Sequence, residues 1–279
     1  EEGYNFGGKW GAMQGIIVAP NGDVWTLDNE NSQIVHLPKG DASKGKIYGK
    51  VVNGKPLDGT LQLKKPFGLA IDQQNRIWVT NSGSNTVTRF PANDPSKAVE
   101  FEVGYSPHGI AIDSKGNAWI ANSIGYPGTM EKLAFVKQKI ESKIASHNTS
   151  TPASVRAAKE WIDLWEISDK YPGGDVSMIT PDGKVSGPFD ANKTMNGAWG
   201  ISIDGNDNVW VSNSMSHTIT QLCGVNKDNF PLGLKTGDAI SPAGGYIGGL
   251  KTLTGIALDP AGNVWVANSW DHTLAGFKQ

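Results

Sequence analysis

The stretch Gly109-IAIDSKGNAWIANSI decides the architecture. A glycine opens a short run of alternating apolar residues. Asp113-SKGN then makes a turn, and a second run carries Trp119 and ends on Asn122-Ser123. Alternation at period two around a turn of Asp, Gly and Asn is the pattern of an antiparallel hairpin. Four other stretches superpose on it without gaps: Gly15-IIVAPNGDVWTLDNE, Gly68-LAIDQQNRIWVTNSG, Gly200-ISIDGNDNVWVSNSM and Gly255-IALDPAGNVWVANSW. Most are followed by a third short run: Gln33-IVHL, Thr86-VTRF, Thr218-ITQL and Thr273-LAGF. Two have a fourth, near Ile47-YGKVV and Val99-EFEV.

A four-stranded antiparallel unit repeated along a chain predicts an all-β fold, a β-propeller, because one such sheet cannot bury both faces but stacked sheets can. The count is five blades, or six if one is too degenerate to see or if the chain is a fragment. Trp25, Trp78, Trp119, Trp210 and Trp265 share one station in the unit and are expected to pack between blades. Each would bury roughly 150–250 Å². The final copy stops after its third run, and residues 1–14 are expected to supply its missing outer strand.

The interval from Gly109 to Gly200 is far longer than the others. Met130, Leu133, Val136, Ile140 and Ile144 recur at helical spacing, and Thr151-Pro152 begins a second helical run through Val155, Ala158, Ile162 and Trp165. Strand pattern resumes at Val176-SMITPDGKVSGPF. Residues 1–279 thus read as a single propeller domain. A helical hairpin over 128–170 is inserted between the second and third strands of blade three, as a lid.

Composition sets the outer bounds. The 279 residues carry a net charge of −2, which speaks against an electrostatic grip on nucleic acid. No apolar run is long enough to span a bilayer as a helix. The lone Cys223 excludes an intrachain disulfide and a zinc–cysteine cluster. A start at Glu1-Glu2-Gly3, without Met, reads as a processed or trimmed product, either by removal of a secretory signal or as a cloned fragment. The first gives the expectation of an extracytoplasmic protein, secreted or periplasmic, and a monomer is expected.

The repeat G-[IL]-x-[IVL]-D-x-x-G-N-V-W-V-x-N-S resembles the NHL repeat and the related streptogramin lyase and gluconolactonase/regucalcin propellers. That resemblance implies the fold. It leaves lyase, lactonase (hydrolase) and plain binding roles open. Pro107-His108-Gly109-Ile110 resembles the element that carries a catalytic His in the streptogramin lyases, where a Glu follows 14 residues later and magnesium helps hold the substrate. Here that position is Asn122, a poor proton carrier and a weaker ligand for a hard cation.

Propeller topology places the residue before each opening Gly and the residue 14 positions later at one mouth of the channel. The pairs are Gln14/Asp28, Phe67/Asn81, His108/Asn122, Trp199/Asn213 and Thr254/Asn268. Repeated asparagines suit a strand-end cap or a ligand contact. The unrepeated partners suit ligand contact. His217, Trp270 and His272 come from loops on the same face. The reading is a small-molecule or carbohydrate-like site lined by these residues. His108 would be the acid/base, with Asp28 as orienter or as ligand for a divalent cation, Mg or Ca. The alternative is a non-catalytic module binding a sugar or peptide at the same mouth, or a scaffold. The Asp-rich turns Asp72-QQN, Asp113-SKGN, Asp204-GNDN and Asp259-PAGN lack calcium-loop spacing and read as hairpin turns.

Overall fold

A computed structural model of the chain describes residues 10–49, 51–52, 55–56, 61–125, 138 and 173–270. Its elements are almost all strands. Blade one comprises β1 (Met13–Val18), β2 (Val24–Asp28), β3 (Gln33–Leu37) and β4 (Lys46–Tyr48), followed by a short ladder of β5 (Val51–Val52) and β6 (Lys55–Pro56). Blade two is β7 (Pro66–Ile71), β8 (Arg76–Asn81), β9 (Thr86–Pro91) and β10 (Val99–Glu102). Blade three is β11 (Tyr105–Ile112), β12 (Ala118–Gly125), β13 (Asp175–Ile179) and β14 (Val185–Phe189).

Blade four has β15 (Ala198–Ile203), β16 (Val209–Asn213) and β17 (Thr218–Leu222), with single bridges Ile219–Tyr246 and Leu222–Ala239 in place of a fourth strand. Blade five shows β18 (Thr252–Leu258) and β19 (Val264–Trp270). The inner strands β1, β7, β11, β15 and β18 touch in succession, so the five sheets stand in sequence around one axis.

Packing follows from alternation. The Trp face of each of the first three blades meets the aliphatic face of the next. Trp25 and Leu27 pack on Leu69, Ile77 and Val79. Trp78 and Val87 pack on Ile120 and Ile179, and Trp119 and Val176 on Ile201, Val209 and Val211. Burying one indole contributes about 5 kcal/mol of transfer free energy before entropy is counted. The expected packing role holds for Trp25, Trp78 and Trp119, which are fully buried, and fails for Trp265, which is 64% exposed. Inside each of the first four blades the Trp also packs on an aromatic from the outer edge: Tyr48, Phe101 and Tyr246 are stacked on it and Phe189 is tilted.

The hairpin turns are knotted by one carboxylate. In blade three Asp113 accepts hydrogen bonds from the amides of Lys115 and Asn117, from Asn117 Nδ2 and from Trp119 Nε1. Asp72, Asp204 and Asp259 repeat the bond to the indole of Trp78, Trp210 and Trp265. These are turns, not cation loops. In blade one the station is Ala19. Trp25 Nε1 is buried without an acceptor, and the indole stacks instead on His36 at 4.1 Å.

Two expectations about chain path can be placed. The amide of Gly11 bonds Asp28 and the carbonyl of Ala12 accepts from Asn29, so residues 11–14 belong to blade one rather than to an outer strand of blade five. The path leaves blade three after Gly125 and returns at Gly173, between its second and third strands. The expected hairpin over 128–170, with Trp161 and Trp165, lies outside the described residues except for Gln138. Asp271, His272 and the third run of blade five also lie outside them. Cys223 is a buried free thiol, its pKa raised by burial and by nearby Asp238.

Candidate functional site

Each of blades two to five carries a β-bulge where its inner strand nears the axis. In blade two Pro66 pairs with Asn81 and Leu69 with Val79, so Phe67 and Gly68 together face Thr80. Blade three pairs Pro107 with Asn122 and Ile110 with Ile120. Blade four pairs Ala198 with Asn213 and Ile201 with Val211. A bulge bends its strand and re-aims the side chain on it. The pairing expected from the sequence is therefore off by one. Each asparagine faces the residue two before the glycine, and Phe67, His108 and Trp199 lie in the bulge itself.

The glycines make this spacing possible. A Cβ on Gly68 would sit 2.1 Å from the His108 carbonyl oxygen, and one on Gly109 would sit 2.4 Å from that of Trp199. Only a residue without a side chain lets neighbouring inner strands approach so closely. Thr80 Oγ1 completes the junction. It accepts from Gly68 N and donates to the His108 carbonyl, both at 2.7 Å.

The bulge residues of blades two, three and four converge. The His108 ring lies 3.7 Å from Trp199 and 4.5 Å from Phe67, centroid to centroid, and Phe67 meets Trp199 edge-on at 5.1 Å. His108 is 2% exposed, Trp199 is buried and Phe67 half-buried. The imidazole is fixed from behind. Its Nδ1 lies 2.8 Å from the carbonyl oxygen of Ser106 and 3.0 Å from Ser123 Oγ, which itself donates to the Ala198 carbonyl at 2.7 Å. A carbonyl can only accept, so Nδ1 carries the hydrogen in the neutral ring and Nε2 holds the lone pair. Sequence reasoning misses Ser106 and Ser123. Ser123 belongs to the repeated Asn-Ser pair and looks there like a turn residue.

The asparagines are structural. Asn81, Asn122 and Asn213 are fully buried, and their Nδ2 groups donate to the third strand: to Thr86 and Thr88, to Asp175 and Ser177, and to Thr218 and Thr220. Asn81 Oδ1 accepts from Lys64 N, and exposed Asn268 accepts from Lys251 N. The three buried ones clip the second strand to the third, and Asn268 stands exposed between Lys251 and Gly249.

Asp28 fills the same slot with donor and acceptor exchanged. Its carboxylate accepts from Gly11 N, from Asn31 N and Nδ2, and from Gln33 Nε2. That corrects the expectation that Asp28 orients His108. The orienting acceptors are Ser106 and Ser123, and Asp28 is spent within blade one. It does not suit a cation either. Its hydrogen-bond partners are all N–H donors, the opposite of what a hard cation recruits. Among the described residues no three His, Cys, Asp or Glu side chains converge as metal ligands.

Gln14 and Thr254 stand at the two ends of the series, half-buried, and neither is part of the aromatic cluster. Thr254 Oγ1 lies 2.5 Å from Ser269 Oγ. His217 sits in the loop after β16 with a left-handed φ of 56°. His272 and the side chain of Trp270 lie outside the described part of the chain.

No protein-family model matches the sequence, and no curated protein does. Solved structures do resemble the fold. Virginiamycin B lyase from Staphylococcus aureus aligns over 92% of this chain at 14% identity and a TM-score of 0.52, and this chain spans 63% of its length. A putative gluconolactonase aligns over 92% at 12% identity and 0.55, spanning 72% of that chain. A gluconolactonase from Xanthomonas campestris aligns over 93% at 12% identity and 0.52, spanning 70%. At such identities the likeness is one of fold, and the fold is a β-propeller.

Proposed function

We propose that the axial end of blades two to four is a small-molecule site with lyase or hydrolase chemistry, in which His108 exchanges a proton through Nε2. The observation that carries this reading is the fixed ring. Nδ1 is committed to the Ser106 carbonyl, and the imidazole is held between two aromatic rings at the only axial station occupied by a histidine. A positioned imidazole with a defined tautomer is suited to general base catalysis near neutral pH. Phe67, the half-buried ring, is the surface an incoming ligand meets first, with Trp199 backing the imidazole behind it. Two kinds of enzyme with this fold, a lyase and gluconolactonases, make a cyclic ester a sensible first substrate class. An extracytoplasmic setting goes with this reading.

The segment spanning 126–172 departs and returns at this same end, which supports a covering role for it. The test uses glucono-1,5-lactone and dihydrocoumarin as probes. Wild type should hydrolyse at least one faster than buffer does, and His108→Gln should lose about 100-fold or more of that rate. Deleting residues 128–170 should leave the blades folded and weaken probe binding. Unchanged turnover in His108→Gln would overturn the assignment. Binding without turnover on any cyclic ester would favour a sugar- or peptide-binding module at the same mouth.

A further inference from the structure

Two stations flank each repeated tryptophan: the residue two before it, and the residue opposite it on the third strand. Asp23 and His36 hold them in blade one, where the carboxylate meets the imidazole at 2.9 Å and the ring stacks on Trp25. Blade three has Asn117 and Met178, and blade four has Asn208 and Gln221. Blade two places two cations there, Arg76 and Arg89. Both guanidiniums approach one oxygen of the next blade. The Pro181 carbonyl accepts from Arg76 Nη1 at 3.0 Å and from Arg89 Nη1 at 2.9 Å. Arg89 also lies over Trp78 and Phe101, at 5.0 and 4.9 Å from the ring centres.

One carboxylate stands beside these two cations. Asp72 accepts from Arg76 Nε at 2.7 Å, and it is otherwise engaged by the Trp78 indole and the amides of Gln74 and Arg76. Arg76 Nη2 donates to Gln74 Oε1 at 3.0 Å, so that guanidinium is tied on every side. Arg89 is not. Its one hydrogen bond is to Pro181, and among the described residues no carboxylate lies within ion-pair distance of it and no protein group accepts from its Nε or Nη2. Glu100 and Glu102 point to the other face of the sheet, since Val99 and Phe101 share the face of Arg89. Burial and the adjacent Arg76 charge push the Arg89 guanidinium below its usual range. The fold does not call for this charge, because Met178 and Gln221 stand opposite their tryptophans at the same station. We propose that Arg89 and Arg76 form a site for an oxyanion, the phosphate or carboxylate group of a small molecule, where the Pro181 turn of blade three meets blade two. Arg89 offers its Nε–Nη2 edge to two oxygens of the group, and Arg76 supplies a second charge beside it. A planar guanidinium fork matches the geometry of both groups. The site lies at the opposite end of β8 from Asn81 and does not depend on the axial reading.

The test titrates the wild-type chain with inorganic phosphate and, separately, with acetate, while sodium chloride holds the ionic strength constant. The Arg89 Nε–H resonance should shift saturably with at least one of them and stay in place with chloride alone. At about ten times a dissociation constant on the order of 1 mM, the bound anion should raise the melting temperature by about 3 °C. Arg89→Gln puts the blade-four residue at this station and keeps a donor for the Pro181 carbonyl. It should melt within about 1 °C of wild type in chloride and lose the increment given by the anion. A shift with phosphate alone assigns the site to phosphate compounds, and a shift with acetate alone assigns it to carboxylates. A resonance that neither anion moves overturns the proposal. An increment in melting that Arg89→Gln retains also overturns it, since the ions then act elsewhere. The resonance is read on wild type, so the outcome does not depend on how the variant folds.

Discussion

At the turn ends of the hairpins the same side chains recur, and at the axial ends they differ. Asp72, Asp113, Asp204 and Asp259 each take the indole hydrogen of the Trp six residues on. Gln14, Phe67, His108, Trp199 and Thr254 occupy one axial station with five different chemistries. The turn end solves one problem in each of these four blades: an indole N–H and several turn amides need acceptors. The axial station has no such shared duty, because its backbone is already satisfied by the bulge and its glycine. What a side chain does there is free to be set by what lies on the axis. Blade one marks the boundary of the rule. It lacks the aspartate, leaves Trp25 Nε1 unsatisfied, and relies on stacking against His36.

The largest expected effect comes from breaking a turn. Asp113→Ala should cost about 4 kcal/mol in urea unfolding, since it strands several buried donors at once. Probe binding by the protein that remains folded should be unchanged. The equivalent change at half-buried Asp259, whose Trp265 is exposed, should cost far less. A loss under about 1 kcal/mol at Asp113 would break the view that the repeated acid holds the blade.

Next is the junction itself. Gly68→Ala forces a methyl against the His108 carbonyl and should cost about 3 kcal/mol, whereas Gly255→Ala should change stability by less than about 0.5 kcal/mol. Equal costs at the two positions would break the link between the glycine and the carbonyl of the next blade. Smaller again is Ser123→Ala. It should cost about 1 kcal/mol and move the imidazole proton resonances of His108, because one of the two acceptors at Nδ1 is lost. Unmoved resonances would leave the Ser106 carbonyl as the sole orienting group.

The smallest effect is one of pH. Hydrogen bonds from Asn263 and Trp265 hold the Asp259 carboxyl down at about 2, against 3.8 for an unperturbed group. A lowered folded-state pKa stabilises above the unfolded value and is lost as pH falls through the folded one. The stability gap between wild type and Asp259→Asn should therefore be constant above about pH 5 and should narrow between about pH 4 and 2. A gap that widens on acidification would mean that folding raises this carboxyl instead of lowering it.

The fold was legible because the Gly-to-Trp unit repeats without gaps, and five copies leave little choice of architecture. The outer-edge aromatics were not legible. Tyr48 and Phe101 follow their tryptophans by 23 residues, but Phe189 and Tyr246 come after connections of other lengths, so no fixed spacing announces them. Of the candidate site, one juxtaposition was legible: the unrepeated station brings Phe67, His108 and Trp199 together. The bulge was invisible because period-two counting assumes an unbroken ladder. Asp28 misled because it looked like a lone acid among amides. Its exchange with Asn is matched by Gln33 where blade two has Thr86, so the hydrogen bond survives with its direction reversed.

The central claim is that ligand binds against the axial rings with His108 in contact. The most direct test is a crystal of the wild-type chain soaked with dihydrocoumarin. The expected result is density stacked on Phe67 or Trp199, with an oxygen within hydrogen-bond distance of His108 Nε2. Density bound elsewhere, in protein that still turns the probe over, would contradict it.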